Sequence, residues 1–462
     1  MTAPETSAAP APPAVRAANA LIGVALVAYA LSDDPFYGGA PGFGGTQAAI
    51  AAVGAVLVLI AGLAPRANAN TLFLVVVCGV LLGGTELAAE RLLGPAMRPP
   101  YDYDERLLFK LRPGARSLAR QLPENGGGAV EHQINALGFR GPELTPAKSK
   151  PRVVVYGDSF IHATYTPEDE TFVRQLERSL SASGPVEVIN GGVSSYGPDQ
   201  ILLRFDAELP LLQPDLVVLS VFAGNDYGDL MRNKIFRVGD DGALAESPHQ
   251  VDPEIITNLR LNATNSVVMR TLKNLKKALG GTPPPVETTA EAKKKLVDFW
   301  LETARKEYDE HVVARDPIVR NTHIDHYSAD LSADPSLPSS RYKVTLMRLV
   351  LERIAARLQA AKVPFLLIVI PHPMDVAEQY EYSEIDATRF PTYDRRNLVA
   401  PLESWARTSS VPLVSVFDTF TTHGDVRGLY LRGGDDHWNS AGQKVAAEAV
   451  AQRIAQAGLL RR

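Results

Sequence analysis

Four short blocks of the sequence contain residue types that together can carry out acyl-transfer chemistry. In chain order they are Gly157-Asp158-Ser159-Phe160, Asn190-Gly191-Gly192-Val193, Gly224-Asn225-Asp226 and Asp435-Asp436-His437-Trp438-Asn439. A serine hydroxyl becomes a strong nucleophile when a histidine accepts its proton and a carboxylate orients that histidine. Ser159 is therefore the candidate nucleophile and His437 the candidate general base. The candidate acid is Asp435 or Asp436.

The two middle blocks contain candidate donors for an oxyanion hole. A glycine exposes its backbone N–H, and an asparagine side chain offers a neutral donor to a developing negative charge. Gly192, Asn225 and the N–H of Ser159 could thus supply three donors. Because Gly and Asn are also common in turns at strand ends, a purely structural role stays open at this stage.

Backbone geometry favours one of the two candidate acids. Adjacent side chains diverge in an extended chain, whereas residues two apart point to the same side. We therefore predict that Asp435 orients His437, and that Asp436 faces solvent or supports the loop before the last helix. Ser440-Ala441-Gly442-Gln443 looks like a capping box, which predicts that this helix begins directly after the histidine block.

Alternating strands and helices after residue 151 predict the scaffold that positions the blocks. The predicted strands cover residues 152–156, 186–189, 216–222, 364–370 and 411–416, and the predicted helices cover 171–182, 198–209, 341–361, 395–407 and 441–457. Apolar strands that alternate with amphipathic helices indicate a three-layer α/β domain with a parallel sheet. Ligands bind such sheets at the carboxyl ends of the strands, which is where the first three blocks lie.

A long segment between the third and fourth predicted strands indicates an insertion at about residues 230–338. It contains predicted helices near residues 266–279 and 289–310. In the first of these helices the apolar residues share one face and the basic residues cover the rest: Val268, Leu272, Leu275 and Leu279 against Arg270, Lys273, Lys276 and Lys277. Such a helix either docks by its apolar stripe or lies on a membrane surface, and the sequence alone favours docking.

The four blocks, in this order, resemble those of the SGNH hydrolases, also called GDSL esterases and lipases. The resemblance covers about residues 151–462 and implies a flavodoxin-like, three-layer α/β domain that acts on ester bonds without a metal or cofactor. It implies that Ser159 is the nucleophile and His437 the general base. It further implies that Gly192 and Asn225 are oxyanion donors.

Two positions depart from the pattern of this family. Phe160 replaces the leucine of the family name, a change that leaves the chemistry unaffected. Gly434 stands three residues before His437, where many members have the acid. Some members place it two residues before the histidine, which again favours Asp435. Residues 111–113 and 134–140 also resemble the connector of membrane-anchored bacterial members, although this match is less specific.

The first 93 residues differ from the rest because they contain three long apolar runs. We predict transmembrane helices at residues 17–31, 47–64 and 70–87, the last with Glu86 near its end. Buried core helices are the alternative, but these runs lack the polar face that such helices normally have. Residues 94–150, rich in Pro and Gly, are predicted to form a connector.

Sparse charges near the apolar runs predict the orientation in the membrane. Arg16 precedes the first run and Arg66 follows the second, whereas the intervening loop carries Asp33 and Asp34. The positive-inside rule then predicts a multi-pass protein of the bacterial plasma (inner) membrane with everything after residue 90 on the periplasmic side. Ala28-Tyr29-Ala30 could be a signal-peptidase site, and cleavage there would leave two spans and the same location of the C-terminal domain.

Composition and the remaining histidines exclude or disfavour other functions. With 47 basic and 52 acidic residues, the chain has no general basic surface for nucleic acid. The single cysteine, Cys78, cannot form an internal disulfide. His323 and His326 flank Asp325, but without further clustered ligands a surface loop is favoured over a metal site. His162 and His372 are candidates to line the pocket.

The sequence therefore predicts a membrane-anchored, extracytoplasmic serine esterase that hydrolyses acyl esters, with acetyl as one option. The predicted partners are the membrane and an acyl ester of an envelope glycan or lipid. An O-acyltransferase that modifies an envelope polysaccharide or lipid would use the same triad, so the motifs do not separate the two functions. An inactive glycan-binding or scaffold protein is disfavoured because all four blocks are intact.

Overall fold

The structure of the protein, a computed structural model, describes residues 10–32, 43–145, 147–264, 266–279, 286–322, 325–378 and 380–460. The helices, in chain order, are α1 Pro13–Leu31, α2 Gly45–Leu63, α3 Asn68–Met97, α4 Ser159–His162, α5 Phe172–Ser181, α6 Pro198–Leu212, α7 Asp226–Asn233, α8 Pro253–Thr264, α9 Val267–Leu279, α10 Ala290–Tyr308, α11 Ala329–Ala333, α12 Pro338–Ala360, α13 Pro373–Val376, α14 Ala400–Thr408, α15 Val416–Thr421 and α16 Ser440–Gln456. The strands are β1 Tyr101–Asp104, β2 Leu108–Leu111, β3 Arg116–Gln121, β4 Gly128–Gln133, β5 Arg152–Gly157, β6 Glu187–Gly192, β7 Leu216–Phe222, β8 Phe236–Val238, β9 Leu244–Glu246, β10 Gln250–Val251, β11 Ile318–Val319, β12 Phe365–Ile370 and β13 Leu413–Ser415. The chain forms two compact units, residues 1–99 with 256–281 and residues 100–255 with 282–462.

The larger unit is built on a parallel sheet. Among the described residues, five strands pair in the order β13-β12-β7-β5-β6. If these five strands are numbered 1 to 5 in chain order, the sheet read from β6 to β13 has the order 2-1-3-4-5, which is that of flavodoxin-like domains. Every residue of β5, β7 and β12 is buried, as expected for central strands covered by helices on both faces. The predicted α/β class with a parallel sheet is confirmed.

One strand end and one helix cap near the predicted site differ from the expectation. Strand β6 continues through Asn190 to Gly192, because its backbone keeps pairing with β5 as far as Gly157. Helix α16 begins at Ser440, but its cap is Asn439, whose side chain accepts the N–H groups of Ala441 and Gly442 at 3.0 and 3.1 Å. The predicted capping box with Ser440 as the cap is therefore wrong, although the helix start is as predicted.

Residues 100–145, most of the segment predicted as a connector, are grouped with the larger unit and contain four strands among their described residues. Strand β1 pairs with β2, and β3 pairs with β4. Arg140, which is 1% exposed, donates hydrogen bonds to the carbonyl oxygens of His162, Ala163 and, at 2.7 Å, Thr166. Through these hydrogen bonds, Arg140 holds the backbone at the end of α4 and directly after it.

The smaller unit contains α1, α2 and α3, which within the described ranges are long and apolar enough to cross a membrane. Helices α1 and α2 cross so closely at Gly23 and Gly54 that a Cβ on either would lie within 2.6 Å of the other's carbonyl oxygen. Asn19 donates to Asn68 Oδ1 at 3.0 Å. Helix α3 runs to Met97, beyond the predicted end at residue 87. The loop with Asp33 and Asp34 lies outside the described residues.

The predicted insertion is divided between the units. Helix α9 and most of α8 belong to the smaller unit, whereas α10, α11 and strands β8 to β11 belong to the larger one. The two predicted helices of the insertion are present as α9 and α10, with ends within two residues of the predicted ones.

Candidate active site

Ser159 is positioned by the turn between β5 and α4. Asp158 precedes it and accepts the N–H of Phe160 at 3.0 Å, which holds the start of the short helix. A Cβ at Gly157 would lie 2.5 Å from a side-chain carbon of Ile161 and 2.9 Å from Ser220 Cβ, so only glycine fits this tight turn. The turn leaves Ser159 at the carboxyl edge of the sheet with 9% of its surface exposed.

Ser159, His437 and Asp435 are connected by hydrogen bonds. His437 Nε2 lies 2.6 Å from Ser159 Oγ, and His437 Nδ1 lies 2.7 Å from Asp435 Oδ1. The backbone N–H of His437 also donates to Asp435 Oδ1 at 2.9 Å, which fixes the carboxylate beside the ring. Since the carboxylate accepts from Nδ1, Nε2 is the nitrogen free to accept a proton from the serine.

Asp436 points away from His437 and binds two other side chains. His372 accepts the N–H of Met374 at Nδ1, so its Nε2 carries the proton and donates to Asp436 Oδ2 at 2.8 Å. Tyr380 donates its hydroxyl to Asp436 Oδ1 at 2.6 Å. Burial would raise the pKa of Asp436, but His372 and Tyr380 hold it below the usual value. Asp436 thus supports the loop, one of the two roles that the sequence left open.

The acidic residues of the first and third blocks have structural positions. Asp226 accepts the N–H of Phe222 at 2.8 Å, as Asp158 does for Phe160. Burial raises the pKa of Asp158 to about 6 and that of Asp226 well above its ordinary value. Both carboxyl groups stabilise strand-to-helix turns, and neither bonds to the imidazole.

The charge environment strengthens His437 as a base. Partial burial disfavours the charged ring, but the neighbouring Asp435 carboxylate outweighs it and, with Asp158 and Asp436, raises the pKa of His437 to about 9. The ring of Phe160 packs 4.9 Å from that of His437, centroid to centroid, and 5.0 Å from that of Trp438. The phenylalanine that replaces the family's leucine therefore forms part of the wall that holds the imidazole.

Asn225 faces the same pocket as Ser159. Its backbone carbonyl accepts the N–H groups of Gly228 and Asp229 at the start of α7. Among the described residues, its buried side-chain oxygen Oδ1 has no hydrogen-bond partner, and the residue is 4% exposed. This oxygen is an acceptor, so it does not by itself indicate a donor to substrate. Asn225 lines the pocket together with Ser159 and His437, a position compatible with its predicted role as an oxyanion donor.

The surroundings of Gly192 do not support its predicted role as an oxyanion donor. Its N–H already donates to Asn190 Oδ1 at 3.0 Å, so this hydrogen is not available to a ligand. A Cβ at Gly192 would lie 2.3 Å from the backbone nitrogen of His162. The glycine is required because α4 packs directly on the end of β6.

The pocket at Ser159 has a volume of about 260 Å³. Beyond the triad, it is lined by Phe222, Gly224, Asn225, Asp325, His326, Tyr327, His372, Gly434 and Asp436. Two larger clefts of about 530 and 740 Å³ contain none of the triad residues, so we assign the site by its chemistry and not by its size.

The insertion contributes Asp325, His326 and Tyr327 to this pocket, which its sequence did not indicate. His326 is 8% exposed, not part of a surface loop, and its Nε2 lies 3.0 Å from Glu307 Oε1. His323 lies outside the described residues. Within the described ranges, no three His, Cys, Asp or Glu side chains form a group that could hold a metal ion. A residue pattern such as His-Ile-Asp-His says nothing about which long-range partner it meets, so the sequence carried no usable signal.

Of the two other histidines predicted to line the pocket, only His372 does. His162 is the last residue of α4, and its Nδ1 lies 2.9 Å from Ser194 Oγ and 3.2 Å from Thr164 Oγ1, away from the pocket lining. Burial holds the pKa of His162 well below its ordinary value. It is therefore a neutral core residue.

No family model matches this chain, and a search of curated proteins gives no match. Solved structures similar to it include a lipase/acylhydrolase from Enterococcus faecalis, at 14% identity and TM-score 0.33, covering 67% of this chain and 97% of that one. A putative lipolytic protein of the G-D-S-L family from Desulfitobacterium hafniense has 13% identity and TM-score 0.30, with coverage of 66% and 99%. A psychrotrophic esterase from Pseudoalteromonas sp. has 13% identity and TM-score 0.30, with coverage of 66% and 98%.

These likenesses are too distant to carry an argument about activity, so the assignment of a class rests on the chain's own residues. The sheet has the flavodoxin-like order, and the serine, asparagine and histidine blocks converge at its carboxyl edge. The larger unit thus combines a flavodoxin-like sheet order with a hydrogen-bonded Ser159-His437-Asp435 arrangement, the arrangement that the sequence predicted from its resemblance to the SGNH hydrolases.

Proposed function

We propose that the protein is a serine esterase of the bacterial plasma membrane that removes acyl groups from an envelope glycan or lipid on the periplasmic side. The observation that carries this proposal is the hydrogen-bonded series from Asp435 through His437 to Ser159. The three apolar helices of the smaller unit support attachment to a membrane. Their orientation follows from Arg16 and Arg66.

The geometry supports a two-step acyl transfer. Ser159 Oγ attacks the ester carbonyl while His437 Nε2 takes the hydroxyl proton, and Asp435 stabilises the imidazolium. The Asn225 amide and the Ser159 N–H donate to the oxyanion. His437 then protonates the leaving alcohol, and a water molecule, deprotonated by His437, hydrolyses the acyl-enzyme. In the alternative, the transferase, a sugar hydroxyl replaces this water.

The small pocket favours a short acyl group. A volume of about 260 Å³ lies below the range of roughly 300–1,000 Å³ that is usual for drug-sized ligands. Phe222 and Tyr327 contribute apolar rings to its wall. Acetyl and similarly short acyl groups fit these dimensions better than fatty acyl chains.

A comparison of substrates tests the proposal. Full-length protein in detergent should release p-nitrophenol from the acetate ester faster than from the octanoate ester. The same assay with and without an acetylatable glycan separates the two reactions. Turnover without the glycan supports the esterase, turnover only with the glycan supports the transferase, and no turnover in either assay contradicts both.

We expect Asn225→Ala to slow turnover by roughly 10²- to 10³-fold, because one oxyanion donor is lost. Covalent labelling of Ser159 by a fluorophosphonate should remain detectable, since the nucleophile and base are unchanged. Steady-state kinetics and gel-based labelling measure the two effects. Wild-type turnover in the variant would exclude Asn225 from the oxyanion hole.

The rate should depend on pH through His437. Only the neutral ring can accept the serine proton, and the pKa of His437 is raised to about 9. The value of kcat/KM should therefore rise with pH from 7 to about 9 and then level off. Asp435→Asn should move this rise to lower pH, because the carboxylate that stabilises the charged ring is gone. A flat profile above pH 7 would contradict the expected shift.

Fusion reporters test the orientation. Alkaline phosphatase, which is active only outside the cytoplasm, should be active when fused after residue 460 and inactive when fused at Arg66. The positive-inside rule predicts this pattern from Arg16 and Arg66. The reverse pattern would place the hydrolase domain in the cytoplasm and exclude an envelope substrate.

A further inference from the structure

Helix α9 exposes an apolar face although it belongs to the same unit as the apolar N-terminal helices. The side chains of Met269, Leu272 and Leu275 are 65%, 53% and 52% exposed. At about 100° per residue, Val268, Leu272 and Leu275 lie within about 60° of one another around the helix. A continuous aliphatic stripe of this kind marks an interaction surface on a folded protein.

The start of α9 is attached to the apolar helix α3 by Glu86. The Glu86 carboxylate accepts hydrogen bonds from Ser266 Oγ at 2.6 Å, Val267 N at 2.5 Å and Val268 N at 3.3 Å. Ser266 Oγ also accepts the N–H of Met269 at 3.1 Å. A carboxylate is favourable there because the first N–H groups of a helix have no partners within it. Glu86, the first charged residue along α3, is thus engaged through both carboxylate oxygens by the start of α9.

Glu86 lies near one end of the stretch of α3 that suits a membrane. It is 18 residues beyond Asn68, where α3 begins, which corresponds to about 27 Å at 1.5 Å per residue. The hydrocarbon layer of a bilayer is about 30 Å thick. The attachment point of α9 therefore falls where hydrocarbon gives way to headgroups.

The charged residues of α9 add a second feature that is typical of helices at a membrane surface. The helix has four basic residues, Arg270, Lys273, Lys276 and Lys277, and no acidic one. At about 100° per residue, positions 270 and 277 fall on the side of the helix opposite position 272, position 273 falls on its flank, and position 276 falls about 40° from position 272, at the edge of the apolar stripe. The buried Val267 lies between positions 270 and 275 around the helix. An apolar face opposite a basic face is typical of helices that lie in the interface of an anionic membrane.

We propose that α9 is an interfacial helix, held by Glu86, that buries its apolar face among lipid acyl chains and places its basic face against anionic lipid headgroups. The covering partner is the bilayer itself, because the apolar surface of α3 beside it is uncovered in the same way. The sequence alone favoured docking of α9 onto protein. The exposure of Leu272 and Leu275 favours the bilayer instead. The proposal rests on membrane insertion and is independent of the catalytic assignment.

Fluorescence in nanodiscs tests the proposal. Full-length Cys78→Ser protein with a single Leu272→Cys substitution is labelled with an environment-sensitive nitrobenzoxadiazole dye and placed in discs of phosphatidylcholine and phosphatidylglycerol. Lipids with a spin label near the carbonyl end of the acyl chain should quench the dye to about half or less. Lys444→Cys on α16, where the lysine side chain is 61% exposed, is the matched control and should not be quenched. Cooperative thermal unfolding of each labelled protein establishes that it is folded.

Each other outcome overturns the proposal. An unquenched dye with the emission of a water-exposed probe would leave the face in solvent, and an unquenched but blue-shifted dye would mean that protein covers it. Equal quenching in discs of phosphatidylcholine alone would exclude a role for anionic headgroups. Unchanged quenching in Glu86→Gln would show that the carboxylate does not hold the helix. Leu275→Cys, on the same face, should reproduce the result at Leu272.

Discussion

Ser159→Ala should abolish both turnover and covalent labelling by a fluorophosphonate. Ser159 Oγ is the hydroxyl that is hydrogen-bonded to His437 Nε2 within the described part of the chain, so its removal leaves the ring without a nucleophile to activate there. Loss of the nucleophile in a serine protease lowers turnover on the order of 10⁶-fold, so activity should fall to the background of the assay. The measurements are ester hydrolysis and gel-based fluorescence of the labelled protein.

Ser220→Ala is the matched control for this experiment. Ser220 lies on the neighbouring strand β7, and its hydroxyl is buried without a hydrogen-bond partner among the described residues. Removing this hydroxyl should leave turnover and labelling close to wild type. Both variants should unfold at nearly the wild-type temperature, because each loses a single oxygen atom. Activity retained in Ser159→Ala would refute the serine-hydrolase mechanism.

Asp435→Asn should reduce turnover by roughly 10- to 10⁴-fold. The size of this loss depends on which nitrogen of the His437 ring carries the proton in the variant. Asp435 Oδ1 accepts both the ring Nδ1–H and the backbone N–H of His437. If the asparagine oxygen keeps both bonds, only the stabilising charge is lost and the effect is small. If its amide donates to Nδ1 instead, Nε2 carries the proton and the ring no longer accepts from Ser159, which gives the large effect.

Asp436→Asn is the matched control, since it makes the same chemical change one residue away. Asp436 contacts His372 and Tyr380 and not the ring of His437, so we expect less than about a tenfold loss of turnover. Steady-state kinetics on both variants, with thermal unfolding to verify folding, measures the difference. Greater damage in the Asp436 variant would mean that the carboxylate acts through His372 and that Asp435 is not the acid.

The sequence by itself was sufficient for the scaffold, because its signals are local. Short, mainly apolar runs such as Leu216–Phe222 predict central strands of a covered sheet, and the observed strand has the same bounds. The long apolar runs before residue 93 correspond to α1, α2 and α3 for the same reason. Spacing two residues apart also pointed to Asp435, which lies beside His437 in the structure.

Contacts between distant segments had to be decided by the tertiary structure. Gly192 must be a glycine because α4 packs on the end of β6, where a Cβ would lie 2.3 Å from the backbone nitrogen of His162, and no local pattern reveals this contact. His326 enters the pocket because Glu307, on α10, binds it.

The position of α9 shows most clearly which features the sequence determines and which depend on the tertiary structure. Its sequence marks an apolar face and a basic face, and that amphipathic pattern is equally consistent with protein and with lipid as the covering partner. The bonds from Ser266 and Val267 to Glu86, about 180 residues earlier in the chain, attach α9 to α3 and leave Leu272 and Leu275 uncovered. Amphipathic periodicity thus follows from the order of the side chains alone, whereas the partner of each face depends on which remote segment the folded backbone brings to it.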